Sequence, residues 1–117
     1  MTRRKPGARP QELYEPMIAG VRANGLPNYS NFFLGHTIGL EAREFPFLLG
    51  PAEDVDDPFL PNTTNIPVEP GMTMNLEASN HEAGWGTVQV EYTCGVTETG
   101  HEHLIFPDQK LFTLPLE

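Results

Sequence analysis

The chain has 117 residues, 38% of them apolar, and a formal net charge of −9, which excludes the clustered basic patch of a nucleic-acid-binding surface. Its basic start, Met1-Thr2-Arg3-Arg4-Lys5, leads into no apolar run of the kind that makes a secretion signal or a membrane span. Cys94 is the single cysteine, so an internal disulfide is impossible, and a cytoplasmic domain or part of one is the expectation.

In chain order, Pro10 to Asn24 predicts a helix. Leu13, Met17, Ile18 and Val21 recur at helical spacing, Pro10 suits the first turn and Asn24-Gly25 suits the stop. Pro16 marks either a kink or the start of a shorter helix. Asn31 to Leu40 reads as a short strand entering a turn, with His36 near its end, and Phe45 to Leu49 is a second apolar patch. Residues 50–71 carry Pro51, Pro58, Pro61, Pro67 and Pro70 among acids and predict a long loop.

Beyond the loop, two stretches alternate in polarity. Met72, Met74 and Leu76 face one way and Thr73, Asn75 and Glu77 the other; Val88, Val90 and Tyr92 oppose Gln89, Glu91 and Thr93. Asn80 to Gly86, with Gly84 and Gly86 around Trp85, reads as a bent connection between them. Glu98-Thr99-Gly100 predicts a hairpin turn into a last strand from His103 to Phe106.

An antiparallel pairing of the two alternating strands puts Glu77 and Glu91 on one side of a sheet. Two carboxylates converging on one point repel unless a proton or cation lies between them. Carboxylates together with an imidazole suit manganese, iron, cobalt or zinc. Spacing alone favours two acids on a solvated strand face, and His36 alone favours a turn or satisfied surface histidine.

Three segments give the acids a context. GHTIGLEAREFP (Gly35 to Pro46) resembles the GHGIGLExxExP segment of the pita-bread metallopeptidases. EPGMTMNLEAS (Glu69 to Ser79) is similar to their PGMxFxIEP segment. GWGTVQVEYTCGVTETG (Gly84 to Gly100) is similar to GWGGVRIEDTVLVTEDG. The nearest branch is the Xaa-Pro aminopeptidases and prolidases. The resemblance covers nearly the whole chain and implies an α+β fold: the second half of a pita-bread domain, a curved antiparallel sheet backed by one or two helices.

It further implies that His36, Glu77 and Glu91 are ligands of two divalent ions (Mn, Co, Zn or Fe). Glu91 would bridge the ions and Glu77 would also relay a proton. The implied substrate is a peptide with proline second. In the family the first half-domain supplies two aspartate ligands, and Asp54, Asp56, Asp57 and Asp108 do not match that segment. The chain is therefore expected to need an N-terminal half-domain as partner, to be inactive alone, and to pair with a copy of itself or stay weakly stable.

Some positions depart from the family pattern. Arg43 stands where a substrate-contacting histidine is usual, and suits a substrate carboxylate. Gln89 replaces an arginine, Tyr92 an acid, and Ala78-Ser79 a Pro-Gly pair. His81 lies near where the family places residues at the mouth of the site, although a solvent-facing loop histidine is the expectation; Trp85 is expected to pack under the connection, with a substrate wall as the alternative. His101 and His103 share one strand face and are expected at the surface; Cys94 is expected in the core. A non-catalytic peptide-binding domain, and a fragment of a creatinase-like or lyase-type relative, are the alternatives.

Overall fold

The computed structural model describes residues 7–50, 66–105 and 113–115. Within them lie one helix, α1 (Pro10–Ala23), and five strands: β1 (Phe33–Thr37), β2 (Glu44–Leu49), β3 (Thr73–Glu82), β4 (Gly86–Thr97) and β5 (Gly100–His103). The strands form one sheet in the order β2-β1-β3-β4-β5, every neighbour antiparallel. This is the expected α+β half of a pita-bread fold.

α1 begins where Pro10 needs no amide partner, and Glu12 accepts the Arg9 amide at 2.8 Å. The helix continues through Pro16, which sets aside the shorter-helix reading. Pro16 is exposed, so the carbonyl it leaves without a partner can face water. At the other end Asn24 Nδ2 donates to the Gly20 carbonyl at 2.8 Å, and Arg22 Nε donates to the Tyr29 carbonyl at 2.9 Å. These contacts cap the last turn and fold the chain back toward the sheet.

The buried face of α1 (Leu13, Tyr14, Ile18) meets Leu34, Leu48, Met74, Leu76 and Cys94 in one core. Leu48 and Leu34 are the most enclosed of these, at 0% and 1% exposure. Cys94 belongs to the core as expected. Val68 joins the core beside the helix start through its amide's bond to the Ala8 carbonyl at 2.9 Å. Residues 51–65, most of the proline-rich loop, lie outside the described residues.

Sequence periodicity undersized the central hairpin. β3 and β4 pair without interruption from Thr73↔Gly95 to Glu82↔Gly86. Asn80, His81 and Glu82, read as connection, are strand residues, and the turn shrinks to 83–85. Gly84, at φ +80°, makes so tight a reversal possible. Polar residues extend the strand because backbone pairing needs no apolar side chain where one face meets water. Trp85 sits on this turn and is 69% exposed, so it packs under nothing. β5 starts at Gly100, ahead of its expected start at His103. No helix among the described residues is long and apolar enough to cross a membrane.

Candidate metal centre

Register decides which side chains meet. Glu77 lies directly opposite Glu91 in the β3–β4 ladder, and His36 opposite Asn75 in the β1–β3 ladder. The four residues therefore occupy neighbouring positions across three strands. His36 and Glu77 are buried, at 4% and 5% exposure, whereas Glu91 is exposed.

Two side-chain amides tie the group together. Gln89 Nε2 donates to Glu77 Oε2 at 2.7 Å and to Glu91 Oε1 at 2.6 Å. Asn75 Nδ2 donates to Glu91 Oε2 at 3.2 Å and lies 3.4 Å from His36 Nε2. Thr93 Oγ1 donates to Asn75 Oδ1 at 3.2 Å, which fixes the orientation of that amide. Glu91 thus has one oxygen toward Glu77 and the other toward His36.

The tautomer of His36 follows from its other nitrogen. Nδ1 lies 2.8 Å from the Thr37 carbonyl, which can only accept, so Nδ1 holds the proton. Nε2 then presents a lone pair to the interior of the group, the arrangement found in metal-ligating histidines. His36 cannot turn away easily, because its ring stacks on Phe33 with centroids 6.0 Å apart.

The donor set fits a divalent cation in kind. Imidazole nitrogen and carboxylate oxygens face one another, and each amide N–H lies between two of these acceptors, where a cation would satisfy both. The fit is incomplete in number. Glu77 and Glu91 approach one shared point, His36 stands on the far side of Asn75, and no three His, Cys, Asp or Glu side chains among the described residues close on one centre.

The remaining candidates separate. Arg43 reaches the group indirectly, its guanidinium 5.6 Å from the centroid of the Phe33 ring. His81 continues the Glu77 face of β3 and bonds Thr87 Oγ1 through Nδ1 at 2.8 Å. It borders a shallow groove with Leu26, Asn28, Ser79 and Asn80. Trp85 lies at the hairpin tip, apart from the acids. His103 pairs with Cys94 on the opposite face of the sheet, where the Tyr92 hydroxyl bonds its Nδ1.

Sequence reasoning did not single out Asn75 or Thr93. Both belong to the polar alternation that flagged the acids, two positions from Glu77 and Glu91 respectively. That parity was the available signal; the bonds themselves depend on cross-strand register.

The model of metallopeptidase family M24 matches residues 1–98. The chain belongs to this family. An Xaa-Pro dipeptidase from Lactobacillus delbrueckii subsp. lactis is 28% identical over 114 residues, which are 97% of this chain and 27% of that protein. The prolidase from Pyrococcus furiosus superposes with a TM-score of 0.69 at 24% identity, over 92% of this chain and 28% of its own. The dipeptidase PepE from Mycobacterium ulcerans gives 0.73 at 21% identity, over 96% of this chain and 27% of its own. This family member thus spans about a quarter of the length of these relatives.

Proposed function

We propose that the chain is the C-terminal part of the catalytic domain of a metal-dependent Xaa-Pro peptidase. In this reading His36, Glu77 and Glu91 contribute to a two-metal site. A preceding half-domain supplies the other ligands, and the chain alone does not hydrolyse peptides. The observation that supports it is the bridging position of Glu91, opposite Glu77 and joined to His36 through Asn75.

When bound, two divalent ions supply an activated water and polarise the scissile carbonyl. The side chains do the rest. Glu77, nearly enclosed, accepts the proton of the attacking water and returns it to the leaving amine. Thr37 holds the His36 tautomer, so that Nε2 stays free to ligate. Asn75 and Gln89 orient the carboxylates, and Gln89 must release both acids for a cation to enter between them.

Manganese titration tests this reading. The chain alone should bind Mn²⁺ weakly. Co-expression with a polypeptide carrying the family's two-aspartate segment should give tight binding and hydrolysis of glycyl-proline. Glu77→Gln and Glu91→Gln should abolish both. A reconstituted complex without metal or activity would support a non-catalytic peptide-binding domain instead, a reading favoured by the amide bridges that already satisfy the acids.

A further inference from the structure

Two histidines take no part in the candidate metal centre and lie on the other face of the sheet. His101 and His103 are two residues apart on β5, so their side chains leave the strand on one side. The ladder sets His101 opposite Val96 and His103 opposite Cys94, on the face that carries Tyr92 and the core. Their ring centroids are 6.0 Å apart, with the ring planes at 43°.

Each ring is held by a different neighbour. His101 is half-buried and closes a small cavity with Leu13, Val68 and Cys94, so core packing fixes its base. His103 is exposed, but the Tyr92 hydroxyl bonds its Nδ1 and the Tyr92 ring meets it edge-on at 4.7 Å. A phenol oxygen can accept the Nδ1 proton, which leaves the lone pair on Nε2. Among the described residues no bond is made to His103 Nε2. A hydrogen bond from behind is how a ligating histidine is oriented.

The spacing suits one small ion. A nitrogen–metal bond of about 2.1 Å puts the ion about 3.2 Å from the ring centre, so two rings in a tetrahedral shell stand about 5.2 Å apart. Small rotations of two partly accessible rings make up the difference from 6.0 Å. Charge favours the approach of a cation. No Lys or Arg occurs between Arg43 and Lys110, whereas Glu98 and Glu102 stand beside the pair in sequence. No third His, Cys, Asp or Glu among the described residues closes on the two rings, so water fills the remaining positions.

We infer that His101 and His103 form a surface clamp for a borderline-soft divalent ion (Cu, Ni or Zn), with Tyr92 as the residue that positions His103. Two imidazoles without a carboxylate select such ions over manganese or magnesium. The clamp is separate from the acids of β3 and β4 and does not depend on their role.

Titration of the chain with NiCl₂, followed by NMR, tests the clamp, because paramagnetic Ni²⁺ broadens the ring protons of the histidines it ligates. The chain has four histidines, which keeps the signals separable. Substoichiometric Ni²⁺ should broaden His101 and His103 and spare His36 and His81, and an excess of Mg²⁺ should not reverse this. By calorimetry, His103→Ala should weaken Ni²⁺ binding about tenfold or more. His101→Gln, which keeps the space beside Cys94 filled, should do the same, and Glu77→Gln should change nothing. Tyr92→Phe should weaken binding and move the His103 ring nitrogen shifts toward the Nε2–H tautomer. Equal broadening of all four histidines, first broadening at His36, or unchanged affinity in both His101→Gln and His103→Ala overturns the clamp, as does a loss of Ni²⁺ affinity in Glu77→Gln. Unchanged affinity and ring shifts in Tyr92→Phe overturn the positioning role of Tyr92.

Discussion

Asn75 shows how much a single side chain can organise. It is 6% exposed, and its amide touches Glu91, His36 and Thr93. A buried amide with both ends engaged adds rigidity to the site, because each lost partner leaves a polar group without compensation. Tyr14 plays the corresponding part under the helix. Its hydroxyl donates to the Asn31 carbonyl at 2.7 Å and so fixes the approach to β1. Burial, and then the Glu15 carboxylate, raise its pKa above the ordinary 10.0. The folded state therefore holds the phenol proton more tightly than the unfolded chain. That contribution is complete below pH 10.0 and disappears as pH climbs through the raised folded value. Urea midpoints measured from neutral to strongly alkaline pH should fall more steeply for wild type than for Tyr14→Phe. At neutral pH the variant should be about 1 kcal/mol less stable, from the lost hydrogen bond.

At the scale of elements, the contact between β1 and β3 sets the position of His36. Gly35 pairs with Leu76 at φ +156°, and a Cβ built there would lie 2.5 Å from the Asn75 carbonyl oxygen. Gly35→Ala should therefore push β1 away from β3 and cost about 2 kcal/mol or more. Chemical denaturation would show the loss, and amide exchange should be faster along β1 than along β4. The helix was legible in the sequence because Leu13, Met17, Ile18 and Val21 keep a period that burial requires. The alternation of Met74 with Asn75 and Glu77 likewise exposed both faces of β3. Strand lengths were less legible. Asn80 to Glu82 continue β3 through backbone pairing that leaves no apolar trace, and the glycines around Trp85 widened the apparent connection. The acids and His36 were singled out by motif, and register sets them at neighbouring positions. Their bridging by Gln89 and Asn75 was not, because hydrogen bonds between strands follow register and amide rotamer rather than residue type.

The described residues form an open sheet with α1 on one face. The β4–β5 half of the sheet leaves Val88, Val90, Leu104 and Ile105 at 48%, 54%, 50% and 58% exposure. Val88 and Val90 project on the same side as Tyr92, the core side of the sheet, beyond the reach of the apolar cluster beneath α1. An apolar strip of this kind favours association. Sedimentation velocity should show a concentration-dependent rise in average mass for the isolated chain. The double substitution Val88→Lys and Val90→Lys should hold it monomeric with its circular dichroism unchanged. A wild type that stays monomeric at high concentration would contradict this expectation.

The uninterrupted β3–β4 ladder also limits how such a chain can change in length. Glu77 and Asn75 share a face because they are two residues apart, as do Gln89, Glu91 and Thr93. Inserting or deleting one residue between any neighbours in these sets turns an acid into the core or forces a bulge into the ladder. A two-residue change keeps the face but moves the acid one strand repeat along. Residues 83–85 lie outside this constraint, so related sequences should differ in length freely at the hairpin tip and hardly at all between Asn75 and Glu77 or between Gln89 and Thr93.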